Sequence, residues 1–234
     1  MMKLLAVFAH PDDETFGPGG TLARYAVEGH EIRLLTFTRG EAGSLGPARN
    51  LTPRELGRLR TLELECAARA LHVSSQRICD LPDKKLGELP AETGVSVIRQ
   101  EIGAFRPDLV VTFHIAGISG HPDHRTVARW CLEAVRGNGR PRLLGFGLSE
   151  EQTRRVGFRE LLPIPEAELT HVIDVSPYLE HKLEPIRCHK SQSELWEKLC
   201  SLEGGYAEYA KREHFAQAWP DPKPGAGRAG RLED

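Results

Sequence analysis

Long hydrophobic runs are missing from this sequence: the longest, Leu4 to Ala9, falls far short of the ~20 apolar residues a bilayer-spanning helix needs. A helical membrane span is therefore excluded. The same run ends in His-Pro-Asp-Asp-Glu and not in a small-residue cleavage site, so it does not read as a secretory signal, and a cytoplasmic protein is expected. An excess of one charge sign is absent as well. With 31 basic and 33 acidic residues the net charge is −2, which gives nucleic acid or a membrane surface no electrostatic footprint and leaves a small molecule as the expected partner. Cysteine is sparse and unpatterned. Cys66, Cys79, Cys131, Cys188 and Cys200 are odd in number, widely spread and without a Cys-x-x-Cys pair, so reduced, mostly buried thiols are expected.

The 234 residues, 40% apolar and 27% charged, suffice for one large domain with a sizeable core, and no internal repeat divides them. Short β-favouring runs recur at 3–9, 32–37, 77–81, 108–114 and 142–147, with helical patterns between them at 17–28, 52–71, 92–104 and 122–136. Thr52-Pro53 supplies an N-cap and a proline at the first helical position, and Leu56, Leu59, Leu64, Ala67 and Leu71 give the following helix a wide apolar face. The alternation predicts an α/β fold, a Rossmann-like, mostly parallel sheet with helices on both faces. Beyond residue 150 the pattern weakens; a strand at 169–175, a helix at 177–189 and a further helix over 205–218 are expected. The main domain is drawn at 1–192, with 193–219 as a helical extension of it. Residues 220–234 hold three Pro, three Gly and a single Leu, and are expected to form a flexible tail unless they dock on a partner subunit.

Where the first strand ends stands Ala9-His10-Pro11-Asp12-Asp13-Glu14. One imidazole and three carboxylates in five residues repel one another unless a cation intervenes, and His with carboxylate suits zinc. Taken alone, the segment is equally well read as solvated acids leading into a helix N-terminus. A second cluster, Gly120-His121-Pro122-Asp123-His124, follows the run Leu109 to Phe113 and again lies between a strand and a helix start. Parallel strands bring both loops to one sheet edge, where doubly wound sheets collect ligands. Together they offer His and carboxylate ligands with acid and base groups to spare, as a catalytic zinc with one open position requires. Gly17-x-Gly19-Gly20 lacks the full dinucleotide fingerprint, and the adjacent acids would repel a pyrophosphate.

These two motifs resemble those of the PIG-L/LmbE family of zinc-dependent N-deacetylases. Gly19-Gly20-Thr21-Leu22, the run Thr38 to Gly43, Arg60-x-x-Glu63, Leu81-Pro82-Asp83, Lys182 and His189-Lys190-Ser191-Gln192 extend the resemblance over roughly residues 3–192. Carried over residue by residue, the resemblance implies that His10, Asp13 and His124 are zinc ligands and that Asp12 is the general base acting on the zinc-held water. It implies that His121 stands opposite as a protonated group facing the oxyanion, with Asp123 beside it raising its pKa. Arg60 is similar to a position contacting the substrate's polar groups, unless it is a helix-surface residue paired with Glu63, and Asp83 lies where related enzymes bind sugar hydroxyls. Ser119 departs from the aromatic residue found there in mycothiol-pathway members. The implied activity is hydrolytic removal of an acetyl group from an N-acetylglucosamine-containing small molecule, and a homo-oligomer is implied too. Two other readings stay open: a zinc hydrolase of another amide or ester, and a non-catalytic Rossmann-like protein binding a sugar or nucleotide.

Overall fold

The apolar run that opens the chain becomes β1 (Lys3–Phe8), and its side chains from Leu4 onward are wholly buried, as a strand covered on both faces must be. In this computed structural model, residues 1–46, 50–137, 140–223 and 227–234 are described. After β1 come α1 (Asp13–Phe16), α2 (Gly19–Val27), β2 (Glu31–Thr38), α3 (Pro53–Ala70), β3 (Ser75–Leu81), α4 (Ala91–Phe105), β4 (Leu109–Phe113), α5 (Gly117–Gly120) and α6 (Pro122–Arg136). They are followed by β5 (Arg142–Gly147), α7 (Glu150–Val156), β6 (His171–Asp174), α8 (Leu179–Ile186), α9 (Ser193–Cys200), α10 (Gly205–Ala210) and β7 (Arg212–Trp219).

The strands form a single sheet of order β3-β2-β1-β4-β5-β7-β6. The first five strands are mutually parallel, and only β7 runs antiparallel, between β5 and β6. The chain walks from β1 outward through β2 to β3, then crosses back to lay β4 on the other side of β1. That reversal opens a crevice beyond the carboxyl ends of β1 and β4. Helices α4 and α6 pack together, and α2 and α3 pack against α8, so the sheet is covered on both faces. The α4–α6 contact needs Gly94: a Cβ there would lie 2.0 Å from the Trp130 ring, which is 2% exposed. Thr52 caps α3 by accepting from the Glu55 amide while the Glu55 carboxylate accepts from Thr52 N–H, the reciprocal capping that Thr-Pro-x-Glu encodes.

Three expectations need correction. The helix expected over 205–218 stops at Ala210, and the rest is β7. Its stretch from Glu213 to Ala216 is buried throughout, so it lacks the alternation that marks a half-exposed strand, and a short apolar run does not distinguish helix from strand. The end of the expected tail, residues 229–233, is docked on its own chain. Leu232 is fully buried, its N–H donates to the Tyr25 hydroxyl (2.7 Å), Tyr25 donates to Glu233 (2.6 Å), and Ala229 bridges to His171 on β6. Finally, Cys66 on α3 and Cys188 just beyond α8 form a disulfide, while Cys79, Cys131 and Cys200 are free. The two partners lie 122 residues apart, a separation that gives no spacing signal.

Candidate active site

His10 leaves the carboxyl end of β1, and the strand-to-helix turn after it is tight: Asp12 adopts φ 108°, a left-handed conformation that costs a non-glycine residue about 1–3 kcal/mol. The turn is held from both sides. Asp12 N–H donates to Glu14 Oε2 (3.0 Å), and its carbonyl accepts from Thr15 Oγ1 (2.9 Å). Across the crevice, α6 begins at Pro122, a residue suited to the first helical position, and carries His124 into the site. Phe113, the last residue of β4, stacks on the His124 ring with centroids 4.0 Å apart.

Hydrogen bonds fix which ring nitrogens face each other. His10 Nε2 lies 3.2 Å from Asp123 Oδ2 and 3.0 Å from Asp83 Oδ1 and donates to these carboxylates, which leaves Nδ1 as the nitrogen free to meet a cation. His124 Nδ1 donates to the Gly117 carbonyl (3.2 Å), which turns Nε2 toward His10. These two remaining nitrogens, His10 Nδ1 and His124 Nε2, face each other across 3.3 Å. The Asp13 carboxylate stands beside both, with Oδ1 3.2 Å from His124 Nε2 and Oδ2 3.5 Å from His10 Nδ1. A tetrahedral zinc with ligands at about 2.0–2.1 Å sets its ligand atoms about 3.3–3.4 Å apart, so this donor set fits such an ion. The carboxylates behind His10 are of the kind that orient a metal-bound imidazole.

The charges follow from the same geometry. Burial disfavours the Asp13 carboxylate, but the His124 and His10 rings overcome it and hold Asp13 well below the usual range. Burial likewise disfavours a charged His10, yet bonds to Asp123, Asp13 and Asp83 raise it well above an ordinary histidine. Asp12 behaves differently. Burial pushes its carboxyl up to about 6 against the pull of Arg60, which donates to it at 3.0 Å. A carboxyl near neutrality at the rim of a cation site is suited to general-base work.

All eight residues singled out in the sequence, His10, Asp12, Asp13, Arg60, Asp83, His121, Asp123 and His124, gather around this crevice, but several contacts differ from expectation. Arg60 is buried, not on the helix surface. Its guanidinium donates to the Pro11 and Gly40 carbonyls and to Asp12, while Glu63 accepts from Ser191 N–H (2.8 Å) and Oγ (2.7 Å) instead of pairing with Arg60. Gly40 and Gly43 make room for it; a Cβ at either would lie 2.4 Å from Arg60 Nη1. Asp83 is also buried, accepting from Ala42 N–H (2.9 Å) besides His10, and so is occupied within the protein. Asp123 does not pair with His121 through its carboxylate, which accepts from Lys84 N–H (2.7 Å), Leu86 N–H (3.0 Å) and His10. Only its backbone N–H reaches His121, at Nδ1 (3.2 Å), and burial with the neighbouring His124 and His10 rings lowers His121 to about 4. The expected protonated His121 is therefore a neutral ring with its proton on Nε2.

A supporting layer lies below. Glu14 and His189 form a wholly buried pair at 2.7 Å, linking α1 to the segment after α8. Lys182 bonds the Gly17 carbonyl (2.8 Å) and Glu213, which in turn accepts from Gly20 N–H (2.9 Å) and Thr21 N–H (2.7 Å) at the start of α2. Glu213 escaped the sequence reading because a lone acid in an apolar run carries no local signal.

A doubly wound sheet whose switch-point crevice holds a His/Asp/His cluster beside a near-neutral carboxyl defines a hydrolase-type site able to take a divalent metal. The chain belongs to the PIG-L family, GlcNAc-PI de-N-acetylase, whose profile matches residues 5–135. It is 32% identical to a 1D-myo-inositol 2-acetamido-2-deoxy-alpha-D-glucopyranoside deacetylase of Saccharomonospora viridis over 95% of this chain and 97% of that one. The corresponding protein of Actinosynnema mirum is 31% identical over 92% and 88%. Among solved structures, the N,N'-diacetylchitobiose deacetylase of Pyrococcus horikoshii superposes with a TM-score of 0.70 at 22% identity, covering 92% of this chain and 83% of that one. GalB, a 4-carboxy-2-hydroxymuconate hydratase of Pseudomonas putida, gives 0.72 at 19% identity, covering 97% and 100%. A hydratase and a deacetylase thus share this fold, and the fold alone does not select the reaction.

Proposed function

We propose that the protein removes the N-acetyl group from an N-acetylglucosamine-containing small molecule, with zinc held by His10, Asp13 and His124. The observation that carries this reading is the convergence of His10 Nδ1, His124 Nε2 and the Asp13 carboxylate, with contacts of 3.2–3.5 Å between them, next to Asp12. A divalent cation bound there supplies Lewis acidity toward water and toward an acyl oxygen. Asp12 accepts the proton of the attacking water, a role suited to a carboxyl raised to about 6. His121 presents its Nε2–H from the opposite side, donating to the oxygen on which negative charge develops. Arg60 positions Asp12, and Asp83 with Asp123 position His10. The sugar is inferred from relatives: N-acetylated glucosamine is the unit shared by the inositol conjugate and diacetylchitobiose for which they are named.

The test is metal content beside amine release. Purified protein reconstituted with zinc is expected to hold about one ion per chain, to lose it in His124→Ala, and to release amine from N-acetylated amino sugars. A chain that takes up no zinc, or a His124→Ala variant that keeps full occupancy, would sink the assignment.

A further inference from the structure

The hydrolytic cluster opens sideways into a cavity of about 350 Å³ whose walls differ in chemistry from its floor. From Asp12, Asp13 and His124 it passes Phe16, Ile118 and Phe146 and ends between α7 and α9. Neither of these helices has a buried residue, although Val156 on α7 and Leu195 and Leu199 on α9 all face the cavity. Leu195 is 37% exposed. Two surface helices thus turn apolar side chains toward one groove that is continuous with the candidate active site.

Apart from Ser119, Glu160 and Arg212, which are exposed, the polar side chains along the groove beyond the Asp12, Asp13 and His124 cluster are bonded within the protein, the Tyr206 and Tyr209 hydroxyls donating to backbone carbonyls. Lys182 and Glu213 bond each other, the Gly17 carbonyl and the amides of Gly20 and Thr21. The Gln152 amide donates to the Tyr209 and Arg212 carbonyls, and its oxygen accepts from Ser149 N–H. Glu160 and Arg212 lie at the exposed rim. At the mouth, Ile118 adopts φ 63° and ψ −64°, a strained conformation for a β-branched residue, with its carbonyl held by Leu162 N–H at 2.6 Å. Such strain persists only where the surroundings impose it, and here it sets an aliphatic side chain against the groove. Along the stretch lined by Phe16, Ile118, Phe146, Val156, Leu195 and Leu199 the hydroxyls of a polyol would find no partner, which disfavours it there relative to an apolar group.

We infer that the natural substrate is an amphiphile whose amide lies at the Asp12, Asp13 and His124 cluster and whose aliphatic or aromatic portion lies in the groove between α7 and α9. This rests on the hydrolase reading above and narrows its substrate class away from a purely hydrophilic sugar conjugate. The apolar portion can enter as a long N-acyl chain or as an apolar aglycone, and two compound series separate them.

Calorimetric binding is measured on zinc-loaded, full-length Asp12→Asn protein, with N-acetylglucosamine carrying methyl to octyl aglycones and with glucosamine carrying acetyl to octanoyl amides, all below micellar concentrations. Affinity is expected to rise about 3–4-fold per added methylene in one of the two series until the groove is filled. The rising series identifies where the chain is attached. Leu195→Glu and Val156→Glu, both at positions that are not buried, are each expected to flatten that rise. Equal affinity along both series, or a rise that both groove variants leave intact, overturns the inference. Amine release from the same compounds by zinc-loaded wild-type protein reports separately on the reaction. Hydrolysis with no gain from chain length overturns the groove assignment alone; a chain-length gain in binding without hydrolysis supports the groove and overturns the hydrolase reading.

Discussion

Replacing Arg60 by Met removes the one cation among the described residues that bonds the Asp12 carboxylate, at 3.0 Å and almost out of contact with water. Asp12 already titrates near 6 because burial outweighs that attraction. An opposite charge about 4 Å away is worth roughly 4 kcal/mol at an effective dielectric of about 20, an upper bound of about three pK units. Water entering the vacated space screens part of this, so a rise of about 1–2 units is expected. If activity requires the ionised carboxyl, its acid limb moves up by the same amount, and turnover at pH 7 falls about 2–10-fold through protonation alone, recovering toward about pH 9. Stability falls as well, by about 3 kcal/mol, the low end for a broken buried pair because Asp12 can neutralise itself. The assay is the pH–rate profile of amine release at saturating zinc, with urea unfolding of the same samples. Arg60→Lys keeps the charge but loses the fork that reaches Pro11 and Gly40, so its limb should stay while its stability drops. A folded Arg60→Met enzyme with the wild-type limb would refute the electrostatic control of Asp12.

Asp123→Ala orphans the Lys84 and Leu86 amides and leaves His10 Nε2 with Asp83 as its remaining carboxylate partner, so zinc affinity should fall about 10–100-fold even though no proposed ligand is changed; competition with a chromogenic chelator measures it. His189 is raised above an ordinary histidine: burial opposes its charge, but Glu14 overrides it. Its contribution to stability is therefore fully present below about pH 6.5 and fades as pH rises through the raised folded value. The stability gap between wild type and His189→Gln, followed by urea unfolding in chelator, should shrink with rising pH; a gap independent of pH contradicts the charged pair. Removing residues 227–234 exposes the Leu232 site and should cost at least about 1.5–3 kcal/mol, read as a lowered urea midpoint.

Much of the fold was legible because its signals are local. The spacing around Thr52-Pro53 marks the start of α3 within a residue, and the expected helix 122–136 and strand 142–147 coincide with α6 and β5. The candidate site was legible as a set of residues for the same reason: each half sits in a contiguous motif after a strand. What each side chain touches was less so. Asp83 and Asp123 look like substrate-facing or His121-facing acids, yet both are turned onto His10 by amides of Ala42, Lys84 and Leu86, which sequence spacing does not place. Arg60 lies on a helix whose pattern permits a surface position, and only the close approach of Gly40 and Gly43 reveals that it is enclosed. Cys66–Cys188, Glu213 and β7 were missed because each depends on partners far away in the chain.

The position of β7 also bears on how the chain is made. Because it is inserted between β5 and β6, the edge of β5 stays unpaired after residue 147 has left the ribosome and remains so until residues 212–219 follow. During synthesis, at about 5–20 residues per second, the nascent sheet therefore presents an open strand edge for several seconds, the situation in which edge-to-edge association competes with folding. Closure arrives with the same strand that brings Glu213 to Lys182 and to the start of α2, so the last step that protects the sheet is also the one that braces the floor beneath the site.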